Sequence, residues 1–106
     1  MMAEREITWE ELQAWQQSAR PHQLVDVRED FEREIAHIGG RWIPLGDLVR
    51  QAPTLDEAVP LVFYCRKGVR SLIAIQRLQP LFPDRPMYSL RGGMEGLPSG
   101  VPMQGE

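Results

Sequence analysis

Cysteine is nearly absent: the chain of 106 residues has one, Cys65. That excludes an intramolecular disulfide, and with it a structural zinc site built on two or more cysteines of one chain. No apolar run approaches the roughly 20 residues that a membrane-spanning helix needs. Basic residues are not in excess either. Fifteen acids against 12 bases give a formal net charge of −3, which argues against a general nucleic-acid binder but leaves room for a local basic patch. The segment Met1 to Glu6 is charged and leads into no apolar core, so no secretory signal is expected. Metal binding has no supporting constellation. These absences leave a soluble chain, expected in the cytoplasm, with neither nucleic acid nor membrane as partner. Its length and ordinary composition suit one domain over residues 1–106, large enough to bury a core with little stability to spare.

Local signals then divide the chain. Thr8 with Glu11 forms a capping box, Ile7 and Leu12 have the spacing of a hydrophobic staple, and a helix is expected from Trp9 to about Ala19. Trp9 and Trp15 read as packing residues, and His22 as exposed. Gln23–Val27 reads as a buried strand, and Arg28 to Ile35 as a short helix with Phe31 and Ile35 one turn apart. His37-Ile38-Gly39-Gly40 is a turn, in which His37 makes a turn hydrogen bond. Arg41-Trp42-Ile43 follows as a brief strand, with Trp42 in the core, and Leu45 to Gln51 as a short helix. An acidic connection spans Pro53 to Pro60. Leu61-Val62-Phe63-Tyr64-Cys65 is the strongest strand, apolar throughout like a central parallel strand covered on both faces. A helix opens at Ser71 and stops before Pro80, and a last strand covers Pro86 to Leu90. Gly92-Gly93 turns the chain, and residues 98–106 form a tail. Strands alternating with helices predict an α/β layer with a mostly parallel sheet.

The chemistry concentrates in Cys65-Arg66-Lys67-Gly68-Val69-Arg70-Ser71, where a buried strand runs into a short loop and a helix runs out. Ligands of open parallel sheets bind outside the carboxyl ends of the strands, and Cys65 is placed there. A curled loop before a helix points successive N–H groups inward, and the helix dipole adds positive potential. Arg66, Lys67 and Arg70 add three cations, and Gly68 permits the left-handed backbone that a tight curl needs. All of these favour the thiolate, the reactive form of a cysteine.

In this loop and in an ordered set of other pieces, the chain resembles the rhodanese family, specifically its single-domain sulfurtransferases. The resemblance runs from about Ile7 to Pro102. It includes Asp26-Val27-Arg28-Glu29, Phe31-Glu32, His37-Ile38-Gly39-Gly40, Ile43-Pro44-Leu45, the Cys65 loop and Leu90-Arg91-Gly92-Gly93. It implies one parallel five-stranded α/β domain with helices on both faces. It also implies that Cys65 accepts sulfane sulfur as a persulfide, with no resident cofactor. Asp26 and Arg28 are implied as supports that steady the active loop. Gly39-Gly40-Arg41 departs from the family's usual Pro-Gly-Ala, Leu97 stands where a tryptophan is common, and the short tail leaves at most a vestigial C-terminal helix.

The function expected is sulfur transfer. Thiosulfate or a similar donor gives its outer sulfur to Cys65, and cyanide, a small thiol or a protein thiol takes it, in two half-reactions. A cysteine-loop phosphatase or arsenate reductase is the alternative enzyme. Those cradles hold one more residue between cysteine and arginine than the four from Arg66 to Val69, because a tetrahedral oxyanion is larger than a sulfur atom. A non-enzymatic persulfide carrier or binding module is the third reading.

Overall fold

The structure is a computed structural model that describes residues 5–55 and 58–105. Its strands are β1 (Glu6–Ile7), β2 (Gln23–Asp26), β3 (Arg41–Trp42), β4 (Leu61–Tyr64) and β5 (Met87–Leu90). Its α-helices are α1 (Trp9–Gln17), α2 (Asp30–Ile35), α3 (Leu48–Gln51) and α4 (Val69–Leu78), with short 3-10 turns before and after α3 and at Met94–Gly96. The strands form one five-stranded sheet in the order β1-β5-β4-β2-β3, and every neighbouring pair is parallel. No helix among the described residues is long and apolar enough to cross a membrane.

β4 lies at the centre, and all four of its residues are buried. The two-residue period of a strand sends its side chains to opposite faces. Leu61, Phe63 and the following Cys65 join the cluster that packs against α3 and α4, whereas Val62 and Tyr64 join the cluster that includes Leu12 of α1. Apolar side chains on both faces explain why this strand reads as an unbroken hydrophobic run.

The capping box at α1 is complete: Glu11 N–H donates to Thr8 Oγ1 at 3.1 Å, and Thr8 N–H to Glu11 Oε1 at 2.8 Å. Ile7 and Leu12 share a core cluster, and Trp9 and Trp15 pack against it. The helix ends at Gln17, short of the expected Ala19, because Ala19 turns left-handed at φ 57°. His22 is half-buried, not exposed, with its ring against Trp15. α4 begins at Val69, two residues earlier than the apolar pattern suggests, and ends before Pro80 as expected.

Three further differences bear on the site. β1 was not legible as a strand, since two residues carry no alternation; it exists because Glu6 and Ile7 pair with Ser89 and Leu90. Trp42 is not core: it stands on the short edge strand, 40% exposed, and its Nε1–H donates to Arg28 O at 2.8 Å. The tail is anchored by a bridge between Gln104 and His37, whose N–H and C=O groups pair reciprocally at 2.8 Å. Asp56 and Glu57 of the acidic connection, and residues 1–4 and 106, lie outside the described residues.

Candidate active site

Cys65 follows the carboxyl end of β4, and its side chain is buried at 1% exposure. The chain then curls through Arg66 and Lys67 to Gly68, which caps α4 with φ 105°. Gly68 N–H points back at Cys65 Sγ at 3.1 Å, and Ser71 N–H, in the first turn of α4, reaches it at 3.4 Å. First-turn N–H groups have no intrahelical acceptor, so they are available to an anion. Ser71 Oγ adds a contact at 3.5 Å. These groups converge on one sulfur atom at the floor of a cavity of about 180 Å³ lined by Cys65, Arg66, Lys67, Val69 and Arg70.

The loop's N–H groups can face inward because its carbonyls are engaged elsewhere. Met94 N–H donates to Cys65 O, and Glu95 N–H to Arg66 O, both at 2.9 Å. Gly68 O accepts from Ser71 Oγ at 3.1 Å and, more weakly, from Ser89 Oγ at 3.5 Å. Ser71 and Ser89 are fully buried and share a hydrogen bond of 2.6 Å. Ser71 is thus a buried structural hydroxyl as well as part of the loop. Ser89 escaped the sequence reading, since nothing in the pattern of β5 distinguishes it from a strand filler.

The three loop cations do not all remain free. Arg70 grips Glu32 of α2 in a bidentate pair, Nη1 to Oε1 at 2.7 Å and Nη2 to Oε2 at 2.8 Å. The Arg70 hydrogen bonds hold the Glu32 carboxyl down at about 2, against the opposing effect of burial. The same partner raises Arg70 above its ordinary value. Arg66 pairs with Glu95 on the 3-10 turn, in a solvent-exposed contact. Lys67 is exposed and has no carboxylate partner among the described residues. The sequence signal for Glu32 was its place in the Phe31-Glu32 pair, but that pair names no partner for it.

Asp26 and Arg28 form a buried pair of their own. Arg28 Nε and Nη2 donate to the two Asp26 oxygens at 2.9 Å each, and Arg28 N–H to Oδ1 at 3.0 Å. Their further bonds run away from the Cys65 loop: Arg28 Nη2 reaches Ala36 O at 2.8 Å, and Arg33, which touches Asp26, reaches Gly40 O at 2.9 Å. Tyr64 OH donates to Gly39 O at 2.8 Å, and His37 Nδ1 accepts Gly39 N–H at 3.0 Å. Burial raises the Tyr64 hydroxyl's pKa, so it stays a donor. The Asp26 network therefore fixes the 36–40 turn and the seat of α2. From α2 and its neighbourhood, the direct tie to the Cys65 loop comes from Glu32, and not from Asp26 or Arg28. Among the described residues, no group of three or more His, Cys, Asp or Glu side chains is placed to hold a metal.

A family model described as the rhodanese-like domain matches residues 8–98. The chain belongs to that family. The adenylyltransferase and sulfurtransferase MOCS3 of Drosophila sechellia is 34% identical to this rhodanese-like domain over 91 residues, 78% of this chain and 20% of that protein. The chain thus spans about a fifth of the length of its MOCS3 relatives. YqhL of Bacillus subtilis is 38% identical over 90 residues, 84% of this chain and 68% of that protein. The crystal structure of a rhodanese-related protein from Thermoplasma volcanium superposes with a TM-score of 0.81 at 25% identity, covering 96% of this chain and 99% of that one. The thiosulfate sulfurtransferase of Pseudomonas aeruginosa gives a TM-score of 0.81 at 26% identity, over 97% of this chain and 21% of that one. This rhodanese-like domain is therefore related to sulfurtransferases.

Proposed function

We propose that this rhodanese-like domain is a sulfurtransferase that carries sulfane sulfur as a persulfide on Cys65. The observation that carries the reading is the aim of Gly68 N–H and Ser71 N–H at the Cys65 sulfur, at the floor of an open cavity. The thiolate attacks the outer sulfur of thiosulfate or a similar donor, sulfite or its equivalent leaves, and the new terminal sulfur lies where the first-turn N–H groups of α4 stabilise its charge. A small thiol, cyanide or a protein thiol then removes the sulfur, and Cys65 returns to its starting state. No resident cofactor takes part, since the cysteine itself holds the intermediate.

Size supports sulfur over phosphate. The cradle closes on one sulfur with four residues between Cys65 and Arg70, and the extra oxygens of a phosphoryl group would each need a donor of their own. The test is intact mass after incubation with excess thiosulfate. The parent gains one sulfur atom, which a reductant removes, and Cys65→Ser gains nothing while remaining folded. Sulfur transfer at the parental rate in Cys65→Ser overturns the reading, as does Cys65-dependent hydrolysis of an aryl phosphate without sulfur uptake.

A further inference from the structure

Charge at the mouth of the Cys65 cavity is set by residues outside the loop. Two of the three loop cations are answered by carboxylates, Arg70 by Glu32 and Arg66 by Glu95. The two pairs differ in kind. Arg66 and Glu95 are 64% and 46% exposed, so water and an incoming anion compete with that contact freely. Arg70 and Glu32 are 30% and 13% exposed and joined at two points. Glu32 is held in place as well by the Glu29 N–H, which donates to its Oε1 at 3.0 Å. With its carboxyl held at about 2, Glu32 is ionised wherever a thiolate can react. An anion approaching Cys65 therefore meets a fixed carboxylate beside Arg70, and of the three loop cations Lys67 is the one without a carboxylate partner among the described residues. Thiosulfate brings two negative charges to that mouth. An organic thiosulfonate, R–SO₂–S⁻, or an organic persulfide brings no more than one on its reacting head. Val69, 63% exposed and lining the same cavity, offers an apolar wall to an organic substituent.

Resting on the sulfurtransferase reading above, we infer that Glu32 is a positioning residue that determines donor specificity. By neutralising Arg70 it tunes the Cys65 mouth to a sulfane-sulfur donor with an organic substituent and at most one negative charge, and against the thiosulfate dianion. With a thiosulfonate, Cys65–S⁻ and R–SO₂–S⁻ give Cys65–S–S⁻ and R–SO₂⁻. The Sγ–S bond forms as the S–SO₂ bond breaks, and the sulfinate leaves with the bonding pair. With a persulfide, Cys65–S⁻ attacks the outer sulfur of R–S–SH, R–S⁻ leaves with the pair, and the proton stays on the transferred sulfur. Neither step needs an external oxidant or reductant.

The experiment follows single-turnover loading of Cys65 by intact mass, from thiosulfate, benzenethiosulfonate and cysteine persulfide, in the parent, E32Q, R70Q and the double variant. The parent loads faster from the two organic donors than from thiosulfate, and the faster of those two arms identifies the source. Removing one fixed negative charge acts twice on a dianion. E32Q therefore raises the second-order loading constant about two- to threefold for benzenethiosulfonate and, squared, about four- to ninefold for thiosulfate. The preference for the monoanion accordingly falls about two- to threefold in E32Q and rises by a similar factor in R70Q. It returns to the parental ratio in the double variant, where net charge is restored although the tie to α2 is gone. A merely structural pair slows all donors alike and leaves the ratio unchanged in every variant, and that result overturns the inference. So does a parent that loads faster from thiosulfate. R70Q decides the matter if E32Q does not fold. A parent that loads from no donor refutes sulfur transfer itself, an outcome distinct from an unchanged ratio.

Discussion

Gly93→Ala probes how the loop's carbonyls are turned away from the cavity. Gly93 has φ 59° and ψ −154°, a region essentially restricted to glycine. An alanine Cβ at this position lies 2.5 Å from Cys65 O and 2.6 Å from Arg66 O. Both are backbone atoms, so neither can swing aside as a side chain would. Those carbonyls are the ones that accept from Met94 and Glu95 N–H at 2.9 Å. Relief therefore requires the Met94–Gly96 turn to withdraw and both bonds to lengthen together. The backbone conformation contributes about 1–3 kcal/mol, and two weakened hydrogen bonds contribute about 1 kcal/mol each. The sum is a destabilisation of about 3–5 kcal/mol, which in a domain of this size lowers Tm by more than about 12 °C. Thermal and urea denaturation measure it. Gly46→Ala is the matched control, because no atom lies within 4 Å of its new Cβ and its φ is ordinary; its stability changes by less than about 1 kcal/mol, towards greater stability. Sulfur loading by Gly93→Ala falls even at temperatures where the protein is folded, since the donors to Sγ move with the loop. A Gly93→Ala variant within about 1 kcal/mol of the parent refutes this account of the loop. So does a Gly46→Ala variant destabilised to the same degree.

Asp26→Ala leaves the buried Arg28 guanidinium without its carboxylate, and chemical denaturation records a loss of about 3–5 kcal/mol. For Glu32 the folded carboxyl is depressed to about 2 from 4.5, so its stabilisation is fully present above pH 4.5 and is lost as pH falls through about 2. Partial exposure of Arg70 limits that contribution to about 1–2 kcal/mol. The urea midpoints of the parent and Glu32→Gln accordingly differ at neutral pH and converge in acid. Ser71→Ala removes the closer hydroxyl donor to Gly68 O, and lowers stability by about 1–2 kcal/mol and the loading rate of Cys65, both measurable on one preparation.

Much of this protein is legible along the chain because the signals involved are local. The capping box of Thr8 and Glu11, the stop before Pro80 and the apolar run of β4 each rest on neighbours within a few residues. The Cys65 loop is legible for the same reason: a buried strand, a glycine able to turn left-handed and the start of a helix follow one another without interruption. Covalent neighbourhood places Cys65 Sγ beside the N–H groups of Gly68 and Ser71. What lies across the fold is another matter. β1 exists only because β5 offers it a partner, and Trp42 is exposed only because β3 proves to be the sheet edge. The three cations of the loop look equivalent in sequence. Tertiary structure separates them, because Glu32 comes from 38 residues away and Glu95 from 29. Ser89 reaches Ser71 across the packing of α4 on β5, and Asp26 and Arg28 turn towards the 36–40 turn and not towards the loop. Sequence alone placed the single cysteine in a short loop between a buried strand and a helix, where backbone N–H groups turn inward. The charge around that loop depends on ion pairs between segments far apart in the chain, which only folding brings together.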